Sequence, residues 1–293
     1  MHCKSPDCGF RVPWGTMADP HCMMCGSDLR YSASDFLSLG RGDVVKVPRA
    51  GQVEMGTLVE DVIRDRQNAV IEGPVGIGKS FGYLIPALTS GARVVVTTAK
   101  KGLQQQLFSK DLPYLIEKTG IKANVTVIKG ASNYACRLKV FNVRDKDARD
   151  DFKVWLNNSP TGDASDYPSA LPPFWPAVTA EDCVGIECKF AKDCAFYKNK
   201  KAAASAQIIV ANHYITAYDL RFGAGSIFKP YDVLIIDEAH QVDSSFRGAY
   251  SSEVKSTTHQ RLIRALDTLG MGGEYDHILE QNWKDMFRRL PSV

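Results

Sequence analysis

A glycine-rich segment has the residue types and spacing of a phosphate-binding loop. It reads Gly73-Pro-Val-Gly76-Ile-Gly78-Lys79-Ser80 and fits the pattern GxxxxGK(S/T). Glycines let successive backbone N–H groups curl around phosphate oxygens, a lysine ammonium contacts the β and γ phosphates, and a serine hydroxyl ligates Mg²⁺ at a helix N-terminus. The pattern therefore predicts an ATP site, with the three glycines, the lysine and the serine around the phosphates and Mg²⁺.

An acidic pair that follows an apolar run is the second candidate for phosphate chemistry. The run from Val233 to Ile236 ends in Asp237-Glu238, followed by Ala and His240. In an ATPase the first acid holds Mg²⁺ and the second polarises the attacking water. Alone, such a pair is typical of a solvated strand end. Combined with the upstream loop, it predicts that Lys79, Asp237 and Glu238 are catalytic.

The cysteines indicate metal binding. There are 8 of them, and they form two sets of equal size. These are Cys3, Cys8, Cys22 and Cys25, then Cys136, Cys183, Cys188 and Cys194. In a reducing compartment such sets indicate metal thiolates, whereas a secreted protein would use them for disulfides, and the nucleotide motif favours the former.

The spacing of the cysteines identifies the bound metal for the first set but not for the second. Cys3-x4-Cys8 and Cys22-x2-Cys25 are two knuckles typical of a four-cysteine zinc ribbon. His2 and His21 are not counted as ligands, because each is adjacent to a cysteine and neighbours rarely both reach one ion. For the second set the residues alone indicate four thiolates around one metal centre, which zinc could also occupy.

The elements that position these residues follow from the apolar pattern. Short β-rich runs separated by helical stretches predict an α/β fold with a parallel sheet covered by helices. The predicted strands are 69–72, 94–96, 125–128, 208–210 and 233–236. Proline-rich sequence around the second cysteine set interrupts this rhythm and reads as an insertion.

Composition excludes several classes of protein. The chain has 293 residues and 44% hydrophobic content, which indicates a globular protein. Its net charge of +3 is too small to indicate nucleic-acid binding by itself. No stretch approaches the roughly 18 apolar residues of a membrane span, and no signal-peptide core is visible. We therefore expect a cytoplasmic protein with no membrane partner.

Several motifs together resemble the superfamily-two helicases. Asp-Glu-Ala-His at 237–240 is similar to their second ATPase motif, and Arg49-Ala-Gly-Gln52 resembles their adenine-reading Q motif. The resemblance implies that the Gln52 amide pairs with adenine. The run 94–107 looks like motif Ia, which implies DNA-backbone contacts by Thr98 and Lys100, although a solvated helix start would also explain the lysine.

The insertion resembles that of iron-sulfur helicases of the XPD and DinG type. The segment 129–136, ending in Cys136, and the Asn212-His213 pair look like segments of that group. The resemblance implies a 4Fe-4S cluster held by Cys136, Cys183, Cys188 and Cys194. Lysines interleaved with Phe190, Phe196 and Tyr197 would suit single-stranded DNA, although such aromatics also cover a cluster.

The implied organisation is a RecA-like P-loop NTPase sheet with an iron-sulfur insert and a small N-terminal zinc ribbon. The predicted parts are a zinc ribbon at 1–30, the first part of helicase domain 1 at 31–129, the cluster insert at 130–205, the second part of domain 1 at 206–245, and a helical tail at 246–293 that could begin an arch.

The resemblance covers roughly 47–240, and motif III and a second motor domain are not visible. It implies the ATP-binding part of a DNA helicase that moves 5′ to 3′ on single-stranded DNA or a junction. A second chain would supply the missing motor domain, whose arginine accelerates hydrolysis by orders of magnitude in related enzymes. The alternatives are a DNA-binding adaptor with a nucleotide pocket but little turnover, and an RNA-directed helicase.

Overall fold

The computed structural model divides into two compact units, Met1–Ala249 and Tyr250–Val293. It describes residues 2–3, 29–38, 41–45, 47–183, 185–251, 259–260, 262–263, 266, 273 and 276–289. The predicted zinc ligands Cys8, Cys22 and Cys25 lie outside the described residues, and of Cys3 only the backbone is described.

The strands of the first unit form two sheets. They are β1 (His2–Cys3), β2 (Leu29–Arg30), β3 (Val94–Thr98), β4 (Val125–Val127), β5 (Ile208–Asn212) and β6 (Val233–Ile236). The short pair β1–β2 is antiparallel and joins the two ends of segment 2–30. The larger sheet has the order β4-β5-β3-β6, and all its neighbours are parallel. Its strands coincide with four of the predicted runs, and β3 and β5 each extend two residues further, so the predicted parallel α/β sheet is confirmed.

The described helices of the first unit are α1 (Ala33–Leu37), α2 (Ala50–Arg64), α3 (Lys79–Ser90), α4 (Lys101–Gln106), α5 (Leu112–Thr119), α6 (Lys146–Asn158), α7 (Ala195–Ser205), α8 (His213–Arg221) and α9 (Val242–Tyr250), which reaches the first residue of the second unit. The second unit contains α10 (Asp276–Arg288). Within the described parts of the chain, none of them is long and apolar enough to cross a membrane.

The main core lies between the sheet and the helices α1, α2, α3 and α5. Strand β3 is buried along its whole length, as expected for a central parallel strand covered on both faces. Its β-branched Val94-Val95-Val96 run suits a pleated strand in this position. Helix α3 buries seven consecutive residues from Gly82 to Leu88, and it ends at Gly91, which is in the left-handed conformation.

One predicted strand is absent. Residues 69–72 precede the phosphate-binding loop but form no strand with any described segment. Val70 is 100% exposed, whereas Ile71 is partly buried against the main core. A β-strand is defined by a hydrogen-bonded neighbour, and this segment pairs with none of the four parallel strands. The prediction of a strand at 69–72 is therefore wrong.

The predicted insertion lies between β4 and β5 and has its own small core. The buried residues of this core are Ala135, Val140, Val143, Phe152, Leu156, Trp175 and Val178. An ion pair between Lys129 and Asp163, with 2.9 Å between Nζ and Oδ2, ties the insertion to the end of β4. The side-chain amide of Asn199 also donates to the carbonyl of Val127, in β4, at 2.8 Å. These two contacts fix the insertion close to the sheet.

Candidate functional site

The phosphate-binding loop has the backbone conformation that its glycines permit. Gly76 and Gly78 have positive φ angles of 84° and 89°, which side-chain-bearing residues rarely adopt. Gly78 is also the N-cap of α3, so Lys79 and Ser80 occupy the first turn of that helix. The Lys79 ammonium donates to the carbonyl of Gly73 at 3.2 Å. The loop is thus curled, with its lysine held over it and a helix N-terminus directly behind it.

Gln52, in α2, and Arg49, the N-cap of α2, both hydrogen-bond to this loop. The Gln52 amide nitrogen donates to the Gly78 carbonyl at 2.8 Å, and Arg49 donates to the Gly76 carbonyl. Gln52 is only 5% exposed, and a Cβ at Gly78 would lie 2.1 Å from its Nε2. A larger residue at position 78 would therefore displace Gln52. The structure places Gln52 against the loop and uses one of its two N–H groups there.

The acidic pair lies at the end of β6, beside the first turns of α3. The Tyr83 hydroxyl donates to Asp237 Oδ2 at 2.9 Å, and the backbone N–H of Glu238 donates to Asp237 Oδ1 at 2.9 Å. Asp237 is 9% exposed. Burial, followed by the charge of Asp237, raises the pKa of Tyr83, whereas its contact with the Ser80 hydroxyl lowers that pKa. Ser80, Tyr83 and Asp237 therefore form one connected group.

Glu238 has a backbone conformation that costs energy. Its φ and ψ are 55° and 44°, in the left-handed region that residues other than glycine seldom occupy. Its Oε2 lies 3.5 Å from Nε2 of His240. Strain of this kind persists where neighbouring contacts determine the backbone, and it often occurs at functional sites.

A buried histidine holds the peptide that precedes Glu238. His213, the first residue of α8, has its Nε2 2.8 Å from the carbonyl oxygen of Asp237. Since a carbonyl only accepts, Nε2 carries the proton. Burial lowers the pKa of His213, so the neutral ring is favoured. Asn212 caps the same helix by accepting from the backbone N–H of Ile215 at 2.9 Å.

The two predicted DNA contacts differ in accessibility. Thr98 is 0% exposed and its Oγ1 has no hydrogen-bond partner in the described structure. It cannot touch DNA in this conformation, because β3 is covered where it ends. Lys100, the N-cap of α4, is exposed. The following Lys101 donates to the Asn133 side chain at 2.9 Å, which joins α4 to the start of the insertion.

The four cysteines of the insertion are free thiols that are not gathered into one ligand set. Among the described residues, no three Cys, His, Asp or Glu side chains lie close enough together to hold a metal ion. Cys183 is exposed, and Cys136, Cys188 and Cys194 are partly buried. Burial raises the pKa of Cys194, and the nearby charges of Cys183 and Cys136 raise it further. Cys183 and Cys136 thus each act electrostatically on Cys194.

Residue-by-residue sequence reasoning missed Tyr83 and His213 as parts of this site. The signal for Tyr83 was its position three residues after Ser80, which places both side chains on one face of a helix. His213 follows a buried strand directly, and the ends of parallel strands meet at one sheet edge. The Asn212-His213 pair resembles a segment of helicases of the XPD and DinG type, but the sequence does not indicate that His213 contacts the acidic pair.

Comparison with known proteins relates the chain to helicases. Residues 173–259 match the DEAD_2 family. The chain is 32% identical over 263 residues to the ATP-dependent DNA helicase YoaA of Escherichia coli (strain K12), a match that covers 78% of this chain and 41% of the relative. It is 27% identical over 274 residues to the ATP-dependent helicase DinG of Mycobacterium tuberculosis (strain ATCC 25618 / H37Rv), covering 80% of this chain and 41% of the relative.

A relative that is named as an exonuclease also matches. The chain is 30% identical over 240 residues to the 3'-5' exonuclease DinG of Bacillus subtilis (strain 168), covering 76% of this chain and 25% of the relative. The chain therefore spans about two-fifths of the length of the two helicase relatives and a quarter of the exonuclease. It is homologous to ATP-dependent helicases over about four-fifths of its own length.

Proposed function

We propose that this chain is the ATP-binding part of a DNA helicase of the DinG and YoaA type. The observation that carries the proposal is the convergence of a curled phosphate-binding loop, a helix N-terminus and a nearly buried aspartate at one end of a parallel sheet. Ligands bind at the carboxyl ends of strands in sheets of this kind. The helicase relatives supply the reaction class, ATP-dependent action on DNA, by their names.

The nucleotide and its Mg²⁺ fit the chemistry of the residues present. Lys79 and the N–H groups of 76–80 would hold the phosphates, and the hard oxygen donors of Ser80 and Asp237 suit Mg²⁺. Both oxygens of Asp237 accept from neutral donors, so its negative charge is not cancelled by the contacts that hold it. Glu238 would orient and polarise the attacking water. Gln52 keeps its amide oxygen and a second N–H for an adenine edge.

The DNA interface and the metal centres are further parts of the proposal. Exposed Lys100 would contact the DNA backbone from the start of α4, beside the insertion. A 4Fe-4S cluster at Cys136, Cys183, Cys188 and Cys194 is supported by the four free thiols of the insertion and by the resemblance of segment 129–136 to iron-sulfur helicases. Zinc at Cys3, Cys8, Cys22 and Cys25 is supported by their spacing.

A second motor domain is required to complete the cycle. The helicase relatives are more than twice as long as the region that matches, and the second domain of such motors supplies an arginine to the transition state. We propose that this domain is supplied by another part of the protein or by another chain, and that movement is 5′ to 3′. The present chain should therefore bind ATP but hydrolyse it slowly.

Reconstitution tests the proposal. ATP hydrolysis is measured for the chain alone and together with a polypeptide that carries the second motor domain, with and without single-stranded DNA. Stimulation by DNA only in the reconstituted sample is expected. Stimulation by single-stranded RNA instead would identify an RNA-directed motor. ATP binding without hydrolysis in every sample would identify the non-motor adaptor and overturn the helicase assignment.

A further inference from the structure

Tyr83 occupies a position between the two halves of the candidate magnesium site. It lies on α3, one turn after Ser80, and is 3% exposed. Its hydroxyl donates to Asp237 at 2.9 Å across 154 positions of sequence. A single buried phenol thus connects the helix that follows the phosphate-binding loop to the end of β6.

Asp237 needs external contacts to keep its orientation. The terminal torsion of an aspartate is broad, so its rotamer preferences alone do not fix the plane of the carboxylate. In this structure the plane is fixed by two donors, the Tyr83 hydroxyl on Oδ2 and the Glu238 N–H on Oδ1. The second donor belongs to the adjoining peptide. Tyr83 is the contact that relates the carboxylate to the phosphate-binding loop.

We propose that Tyr83 is a positioning residue that orients the Asp237 carboxylate toward the Mg²⁺ of a bound nucleotide. This inference rests on the proposed nucleotide site and concerns how that site recognises the metal–nucleotide complex rather than the nucleotide alone. In this role Tyr83 touches neither the phosphates nor the reacting atoms. Its effect passes through Asp237, because each carboxylate oxygen that accepts one hydrogen bond retains a lone pair for the metal or its water.

Tyr83→Phe is the direct test, because it removes the hydroxyl and keeps the ring that packs in the core. The affinity of the full chain for a fluorescent ATP analogue is measured with Mg²⁺ and with EDTA. The gain in affinity on adding Mg²⁺ is expected to fall about 10-fold, the lower end of the effect of losing one hydrogen bond to a charged group. Affinity in EDTA is expected to stay within about 2-fold of wild type.

A double-mutant cycle shows whether the effect passes through Asp237. In an Asp237→Asn background, Tyr83→Phe should change the Mg²⁺-dependent gain by less than about 2-fold, because the contact it supports is already lost. Tyr134→Phe is the matched control. Tyr134 is also 3% exposed, and its ring packs against Phe196 of the insertion with 5.4 Å between the ring centroids. Loss of its hydroxyl should leave the Mg²⁺-dependent gain unchanged.

The outcomes separate this inference from the proposed function. If the wild-type chain binds the analogue with a clear Mg²⁺-dependent gain and Tyr83→Phe keeps that gain, the positioning role is overturned while the nucleotide site stands. An equal loss with Mg²⁺ and with EDTA also overturns it, because a purely structural residue would behave in this way. If the wild-type chain binds no nucleotide at all, the proposed function itself fails.

Discussion

The candidate nucleotide site and the cysteine insertion differ in how closely the folded chain brings their functional side chains together. At the nucleotide site, backbone geometry and neutral hydrogen bonds already bring Lys79, Ser80 and Asp237 to one end of the sheet. In the insertion, the aromatic core is packed, and Cys136 directly follows Ala135 of that core. The four cysteine side chains are nevertheless not close enough together to form one ligand set.

The difference lies in what each site is made from. A phosphate-binding loop is built from glycines and a helix N-terminus, which the folded chain sets by its own hydrogen bonds. A thiolate site consists of like charges that repel one another, so the metal is itself the centre that draws the ligands together. We therefore expect substitutions at the nucleotide site to lower the affinity for ATP. Loss of metal should instead increase local unfolding of the cysteine insertion.

The largest expected effect is at the loop lysine. Lys79→Ala should weaken binding of an ATP analogue about 100-fold, equivalent to about 3 kcal/mol, because a charge shared between two phosphates is lost. Fluorescence titration measures the affinity. Lys122→Ala is the control, since Lys122 is exposed and lies in the loop before β4. Equal affinities for wild type and Lys79→Ala would remove the loop from the site.

Metal loss should affect the insertion and spare the nucleotide site. Oxidative removal of iron should speed hydrogen exchange of segment 181–194 about 10-fold, because the metal–thiolate bonds that order it are lost. Exchange in β3 and the affinity for ATP should remain within about 2-fold of the untreated protein. Mass spectrometry after timed exchange measures both segments. Equal loosening of β3 and the insertion would contradict the independence of the two regions.

A smaller effect is expected at the exposed lysine of α4. Lys100→Ala should weaken binding to a fluorescent single-stranded oligonucleotide about 3-fold and reduce the salt dependence by about one phosphate contact. Fluorescence anisotropy at several salt concentrations measures both quantities. An unchanged salt slope would show that Lys100 does not contact the phosphate backbone.

The smallest effect is expected at Thr98. Thr98→Val should leave the affinity for the same oligonucleotide unchanged, since the side chain is buried where β3 ends. It should shift the free energy of unfolding by less than about 1 kcal/mol, because the substitution removes a hydroxyl that has no partner and keeps the shape. Thermal denaturation and anisotropy test this pair of outcomes. A loss of DNA affinity without a loss of stability would restore Thr98 as a contact.

The parallel sheet could be predicted from sequence because each of its four strands is a compact apolar run. The run at 69–72 has the same composition and is not paired in the described structure, because pairing depends on a neighbouring strand that local sequence cannot reveal. Burial of Thr98 was missed for a similar reason. A polar residue that ends a strand is ordinarily exposed, whereas Thr98 is paired with Asn212 of β5 in the middle of the sheet, and that pairing is a property of the folded sheet.

The identity of the loop and the acidic pair could be predicted because those motifs specify residue types at fixed spacing. Their supporting contacts could not. Tyr83 and His213 reach Asp237 across 154 and 24 positions respectively, and the hydrogen bonds exist only once the sheet has formed. Gln52 was predicted to face adenine, and its contact with the Gly78 carbonyl adds a bracing role that sequence did not indicate.

Metal content best distinguishes the proposed iron-sulfur helicase domain from a P-loop ATPase domain without a cluster. Iron and zinc are measured in anaerobically purified protein, together with the visible spectrum, for wild type and Cys188→Ser. We expect about four irons and one zinc per chain, with a brown absorbance that Cys188→Ser abolishes. Two zincs per chain and no iron would contradict the cluster, and with it the specific assignment to iron-sulfur helicases.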